Sequence, residues 1–370
     1  MPFPAPHEPA PHFICEASNN PRFNFTTVGG RYILLTFFGS AAEPGMAKVL
    51  ADAAAEPLFD DVQASFFGIS IDPDDKAMER VKPKTIGYRF FWDFDQAISK
   101  LYGAIEGEGR ADGSVDFKPV SILIDPMMRI MGHQPIDDPA THIQRLADFL
   151  RKLPAIGAPV AAQGHAPVLV IPRIFEPDFC KQLIGLYNQH GGEDSGFMRE
   201  IDGKTVGIVD YSHKRRRDYI IDDQKLIQAC QARIRRRLAP EIKKAFQFEP
   251  TRMERYIVAC YDSGEGGYFR PHRDNTTKGT AHRKFAVTLN LNAEDYDGGY
   301  LRFPEFGPHL FKAPTGGAVV FSCSLLHEAL PVVKGTRYVF LPFLYDDAGA
   351  ELREKNNAYL AENVVNYQRG

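Results

Sequence analysis

The residues of this 370-residue chain best suited by type and spacing to do chemistry are His272, Asp274 and His327. In His272-Arg273-Asp274 an imidazole and a carboxylate stand two residues apart, so on an extended strand both face the same side. His327 follows the apolar stretch 318–324 and can complete a face of three ligands. Two neutral imidazoles and one carboxylate leave coordination positions open, the set that suits non-haem Fe(II) working on dioxygen. Zinc lacks the redox chemistry for that role. Arg337 lies on the last strand pattern, where its planar fork can pair with the far carboxylate of a keto acid that chelates the metal. An HxD tripeptide alone decides little, because most polar residues are solvated. Its setting decides: the turn-rich YDSGEGGY precedes it, RKFAVTLNLN follows it, and His327 and Arg337 come at the required places on strands.

The elements that must hold these residues begin at position 251. RMERYIVACY, RKFAVTLNLN, GGYLRF, GGAVVFSCS and TRYVFLPFLY are strand-like runs broken by Gly, Pro and Asp-Gly. Many short strands without βαβ alternation predict a jelly roll. Two helical patterns precede them, 177–190, ended by Gly191-Gly192, and 222–238, and a short helix starts at Pro240. Residues 154–167 (PAIGAPVAAQGHAP) carry no periodicity and read as a linker. Ahead of it, strand patterns at 33–38, 65–72, 88–91 and 120–124 alternate with helical ones at 46–56, 96–102 and 142–153. The last of these places Ile143, Leu146, Phe149 and Leu150 on one face. That alternation predicts an α/β layer structure. The expected organisation is therefore a two-domain chain: an α/β domain at 1–153, a linker at 154–167, and a β domain with flanking helices at 168–370.

Composition narrows the function. A hydrophobic share of 44% with 25% charged residues is that of a soluble globular chain. Lys+Arg 44 against Asp+Glu 47 gives a net charge of -3, so no nucleic-acid partner is expected. Cys15, Cys180, Cys230, Cys260 and Cys323 are widely spaced with no CxxC pair and read as free thiols in a reducing compartment. No apolar run approaches the ~18 residues of a membrane span, and MPFPAPHEPAP lacks the pattern of a signal peptide. The expectation is a cytoplasmic protein with no membrane partner.

ACYDSGEGGYFRPHRDN, VTLNLNAEDYDGGYLRFPEFG and GGAVVFSCSLLHEALPVVKGTRYVF together resemble the prolyl-4-hydroxylase type of Fe(II)- and 2-oxoglutarate-dependent dioxygenase, including the hypoxia-sensing prolyl hydroxylases, over about residues 168–346. The resemblance implies a double-stranded β-helix (jelly roll). It implies His272, Asp274 and His327 as iron ligands and Arg337 as partner of the 2-oxoglutarate C5 carboxylate. It further implies Tyr261 as a second contact to that carboxylate, and Tyr268 and Arg283 on the substrate side. With these come Fe(II), 2-oxoglutarate as cosubstrate, O2, ascorbate to restore oxidised iron, and hydroxylation of a protein or peptide substrate, at a prolyl residue in the family's manner. One position departs: where the hypoxia-type enzymes carry a second cosubstrate tyrosine, this chain has Asn290.

NPRFNFTTVGGRYILLTFFGS, FFGISIDPDD and PVSILIDPMMRI resemble a thioredoxin-fold protein of the peroxiredoxin kind, over about residues 12–150. Such an enzyme needs a thiolate in the loop at 39–46, on the N-terminus of the next helix. No cysteine occurs between Cys15 and Cys180, and Pro119 stands where the activating arginine is expected. The resemblance thus implies a thioredoxin-like fold without thiol chemistry.

The densest positive run, His213 to Arg217 (HKRRR), has two readings: a lid gripping an acidic or polypeptide substrate, with Arg217 among its contacts, or a solvated loop. Arg233, Arg235, Arg236 and Arg237 read as the exposed side of an amphipathic helix, and His282 and His309 as structural or exposed. Two rival functions use the same residues. One is a zinc or manganese lyase or hydrolase; the other is a binding or sensing protein with a silent oxygenase pocket beside a thioredoxin-like partner domain. Arg337 argues against the first, and the complete triad with Arg337 against the second.

Overall fold

Strands that are apolar on both faces can be buried only between two layers, and the N-terminal half is built that way. The computed structural model describes residues 2–84, 86–107, 115–162 and 164–368, which fall into two units, Met1–Val160 and Ala161–Gly370. Among the described residues the first unit holds a seven-stranded sheet. Its order is Asn20–Asn24, Ile14–Ala17, Tyr88–Trp92, Ala64–Ser70, Tyr32–Gly39, Val120–Ile124, Ile130–Pro135. The three central strands from Tyr88–Trp92 to Tyr32–Gly39 run parallel, and Val120–Ile124 joins them antiparallel. Strand alternation sends Leu34, Phe38, Phe66 and Phe90 to one core and Ile33, Leu35, Phe37, Phe67 and Phe91 to the other. The first core is closed by helices Met46–Ala55 and His142–Arg151 through Val49, Leu50, Ile143, Leu146 and Leu150. Phe149 does not belong to that face. Six residues beyond Ile143 the helix has turned by about 240°, and Phe149 is exposed.

The unit has the strand and helix arrangement of a thioredoxin-like fold. The helix after the 39–45 loop opens with Met46, a residue with no ionisable thiol. Cys15 sits half-buried with its Sγ donating to the Trp92 carbonyl, and burial, with Asp93 and Asp95, pushes its thiol up to about 11. It is therefore protonated at neutral pH, which removes the nucleophile.

A buried polar chain ties the sheet to the last helix of this unit: Thr36 Oγ1 meets Ser121 Oγ at 2.8 Å, and Ser121 Oγ meets His142 Nε2 at 2.9 Å. Burial pushes His142 down to about 4, so the folded unit keeps the ring neutral where the unfolded chain would protonate it. The unfolded state binds more protons between pH 6.5 and 4, and stability falls as pH falls through that window. Unfolding followed by Trp92 fluorescence should show a loss of about 3 kcal/mol across it. His142→Asn should remove most of that loss, and a variant with the wild-type pH slope would exclude His142 as the cause. The carboxylates held low by partners, such as Asp61 against Arg89, titrate below this window.

The second unit is a jelly roll with helices on it. Tyr268–His272 and His327–Ala329 are neighbours in a five-stranded sheet; Ile257–Asp262, Thr336–Phe340 and Phe285–Asn290 lie in a nine-stranded one. Helix Pro177–His190 forms as its pattern predicts. The 222–238 pattern splits into an α-helix, Gln224–Arg233, and a π-helical turn, Ile234–Leu238. Arg233 and Arg237 are not a solvated face: both bind Glu176, at 2.6 and 2.7 Å. No described helix is long and apolar enough to cross a membrane. Of the segment 154–167, Ile156 packs on the first unit and Ala166 is buried in the second.

Candidate metal centre and anion pocket

Antiparallel pairing sets His272 directly opposite His327, so both imidazoles emerge on one face with ring centroids 4.3 Å apart. Asp274 lies just past the strand end, where its N–H donates to the Cys323 carbonyl at 3.0 Å. That bond turns its carboxylate back toward the rings: Oδ1 is 3.5 Å from His272 Nε2 and Oδ2 is 3.3 Å from His327 Nε2. The three ligand atoms lie within 4.8 Å of one another. Each Nδ1 faces a backbone carbonyl, Arg270 at 2.8 Å and Leu325 at 3.0 Å. Donation there leaves each Nε2 lone pair free for a metal. Burial depresses His327 to about 4, so its ring is neutral at pH 7. Burial works against a charged Asp274, but His327 and His272 outweigh it and hold the carboxyl well below the usual range. Two imidazole nitrogens and one carboxylate oxygen, converging with one side open, fit a divalent iron.

The other end of the site is a guanidinium. Ile257–Asp262 pairs with Thr336–Phe340 so that Tyr261 sits opposite Arg337, whose guanidinium carbon lies 4.8 Å from the Tyr261 ring centroid. Arg337 is 2% exposed and its Nε has no hydrogen-bond partner. A cavity of about 60 Å³ carries His272, Asp274, His327 and Arg337 in its wall. A buried donor without an acceptor is costly, and a carboxylate between this arginine and the triad would remove the cost. Tyr261 lines the same cavity.

Residues 256–345 match the 2OG-Fe(II) oxygenase superfamily model. Residues 6–132 match that of the AhpC/TSA family. A "PKHD-type hydroxylase" of Synechococcus sp. (strain JA-2-3B'a(2-13)) is 32% identical over 95 residues, 24% of this chain. The chain spans 42% of that relative's length. Among solved structures, a prolyl hydroxylase from Trichoplax adhaerens, in complex with a hypoxia inducible factor oxygen degradation domain peptide, aligns at TM-score 0.39 and 17% identity. It covers 50% of this chain and 86% of that one. Xanthomonas campestris peroxiredoxin Q aligns at TM-score 0.32 and 16% identity, covering 38% of this chain and 89% of that one.

The run at 213–217 in the oxygenase-like unit is neither lid nor solvated loop. Lys214–Arg215 and Arg217–Ile220 are strands paired to Tyr268–Phe269 and Ile257–Cys260. Strand alternation turns Lys214 and Arg216 inward and leaves Arg215 and Arg217 outside. Arg217 pairs with Glu265 at 3.1 Å and Asp194 at 3.5 Å and lines neither the cavity nor the groove outside it. Tyr268 likewise is turned away, its hydroxyl donating to the Tyr211 carbonyl at 2.8 Å. Arg283 does reach the site, as a brace: its Nε binds Glu254 at 2.6 Å and its Nη1 approaches the Asp274 carbonyl at 3.4 Å. His282 stands behind it, 3.2 Å from Glu254.

Sequence reasoning missed Arg216 and Arg255, which share the cavity wall with Arg337. Arg216 binds Asp218 at 2.7 Å and reaches the Tyr261 hydroxyl at 3.3 Å. Burial would raise the Asp218 carboxyl, yet Arg216, Lys214 and Arg255 bring it down to about 2. The signal was present in the alternation of Lys214, Arg216 and Asp218, which are turned inward although Lys214–Arg215 and Arg217–Ile220 are separate strands with Arg216 between them. Arg216→Ala should therefore destabilise this unit by about 3 kcal/mol or more, since it breaks a buried pair. Arg215→Ala with Arg217→Ala should change stability by less than about 1 kcal/mol. Thermal or denaturant unfolding of the two variants checks this, and equal effects would contradict the inward and outward assignment.

Proposed function

We propose that the C-terminal unit is an Fe(II)- and 2-oxoglutarate-dependent dioxygenase that hydroxylates a carbon of a polypeptide, with a prolyl residue as target, releasing succinate and CO2. The observation that carries the reading is the pairing of a three-ligand face with a buried, incompletely bonded Arg337 across one cavity. In this reading His272, Asp274 and His327 hold the metal, which when bound would relay electrons from the keto acid, oxidised to succinate and CO2, to dioxygen. The Arg270 and Leu325 carbonyls orient the two rings. Arg337 holds the distal carboxylate of the keto acid, and Tyr261 flanks it. One oxygen atom of O2 enters succinate and the other the substrate C–H bond, which balances the reaction.

A polypeptide substrate is supported by a groove of about 750 Å³ outside the triad. Its lining includes Phe197, Met198, Leu360, Val364 and Tyr367. The first unit, with no thiolate at its helix N-terminus, holds a partner or substrate and reduces no peroxide. The test is incubation with Fe(II), 2-oxoglutarate, ascorbate and candidate prolyl peptides or lysate, followed by mass spectrometry. A product heavier by one oxygen atom and dependent on all of iron, keto acid and O2 supports the reading. Succinate formed with every oxidised product mapping to another residue type would retain the oxygenase and remove the prolyl target.

A further inference from the structure

Asn290 stands where a second cosubstrate hydroxyl was expected, and its side chain is committed elsewhere. It is buried at the end of Phe285–Asn290, beside Val339 on the strand that carries Arg337. Its Nδ2 donates to the Ala313 carbonyl at 2.6 Å. A carbonyl only accepts, so the amide orientation is fixed and Oδ1 must face the other way. There it accepts from the buried Tyr296 hydroxyl at 3.3 Å. With its one proton given to Asn290, the Tyr296 oxygen has lone pairs left for a donor.

Arg337 stands close beside Tyr296. Gly299 has φ +63, and a Cβ built there would fall 2.7 Å from Arg337 Cδ and 3.2 Å from Tyr296 Cε2. The missing side chain at 299 is what lets the arginine and the tyrosine close on one another. Lys312 braces the far side, its Nζ 3.8 Å from the Tyr296 ring centroid and donating to the Tyr296 carbonyl at 2.9 Å.

We propose that Asn290 and Tyr296 are positioning residues that orient the Arg337 guanidinium for the cosubstrate carboxylate, a role that rests on the oxygenase reading above. Asn290 then replaces a direct contact with an indirect one: the Ala313 carbonyl fixes Asn290, Asn290 fixes the Tyr296 hydroxyl, and the Tyr296 oxygen accepts from Arg337. Burial raises the Tyr296 phenol while the Arg337 charge opposes that rise, as an oxygen facing a guanidinium requires. A fork held in place loses less freedom when the carboxylate docks, so the gain appears as affinity.

The experiment titrates 2-oxoglutarate into the full-length protein loaded with Mn(II), a stand-in that binds without turnover, and reads affinity by calorimetry. Tyr296→Phe and Asn290→Ala should each raise the 2-oxoglutarate Kd about tenfold while Mn(II) affinity stays within about twofold. With iron, KM for 2-oxoglutarate should rise by a larger factor than kcat falls. Should Asn290→Ala fail to fold, Tyr296→Phe, which removes a single oxygen, carries the test alone. A wild-type Kd in Tyr296→Phe, or an equal loss of Mn(II) and 2-oxoglutarate affinity, would overturn the positioning role. If Arg337→Gln also binds 2-oxoglutarate like the wild type, the oxygenase reading falls with it; if Arg337→Gln alone is weakened, only the role of Tyr296 and Asn290 does.

Discussion

Succinate formation should fall by more than about 100-fold when any one of His272, Asp274 or His327 is replaced by alanine. The scale follows from what surrounds the ligands: removing an outer partner of a metal ligand already costs 10–100-fold, and removing the ligand itself costs more. Three donors are the minimum here, since among the described residues they form the one His/Cys/Asp/Glu group placed to hold a metal. The fold should survive each change, because the Cys323 carbonyl bond to the 274 backbone N–H and the strand pairing of 268–272 with 327–329 are main-chain interactions. Circular dichroism on each variant, beside succinate quantified with saturating Fe(II), separates lost chemistry from lost fold. A variant that makes succinate at the wild-type rate would remove that residue from the ligand set.

The second large effect is on the keto acid. Arg337→Gln should weaken 2-oxoglutarate by about 100- to 1000-fold or more, because a carboxylate docked in a buried pocket without its counter-charge costs on the order of 3–5 kcal/mol. Metal affinity should stay unchanged, since Arg337 touches none of the three ligands' hydrogen bonds. Tyr261→Phe should be milder, about 1 kcal/mol or roughly fivefold. Calorimetric titration of the Mn(II)-loaded variants gives both numbers, and equal 2-oxoglutarate affinity in Arg337→Gln and wild type would sink the assignment.

What could be read in the residues, and what could not, divides along the range of the interactions. Continuous apolar runs and residue spacing are local, so the four central strands of the first unit and the nearness of His272 to Asp274 were legible; the strands Ile14–Ala17, Asn20–Asn24 and Ile130–Pro135 were not, and Asp274, past the strand end, reaches the rings through its bond to Cys323 and not through strand alternation. The missing thiolate was legible too, since a residue type is either present at 39–46 or not. The pairing of His272 with His327 needs a register between distant strands, which the spacing suggested but only the fold displays. The inward face of 214–218 was misjudged because a run of charges reads as solvated. It is buried because Asp218 pairs with Arg216 two residues before it and with Arg255 from the link between strands Arg252–Glu254 and Ile257–Asp262. Tyr296 was invisible as a functional residue, its place beside Arg337 being created by Gly299 and by the Ala313 carbonyl that holds Asn290. Phe149 failed for a simpler reason, a helical angle that carries it off the buried stripe.

The central claim is that iron in the triad and a keto acid on Arg337 react together with dioxygen. The most direct measurement is succinate released from 2-oxoglutarate by the full-length protein under air, with Fe(II) against Zn(II), and with Fe(II) under nitrogen. The account predicts succinate with Fe(II) in air, none with Zn(II), and none without O2. Succinate absent under all three conditions, in protein that binds iron and 2-oxoglutarate, would contradict it and return the site to a silent binding pocket; keto-acid turnover with Zn(II) would make it a Lewis-acid site instead.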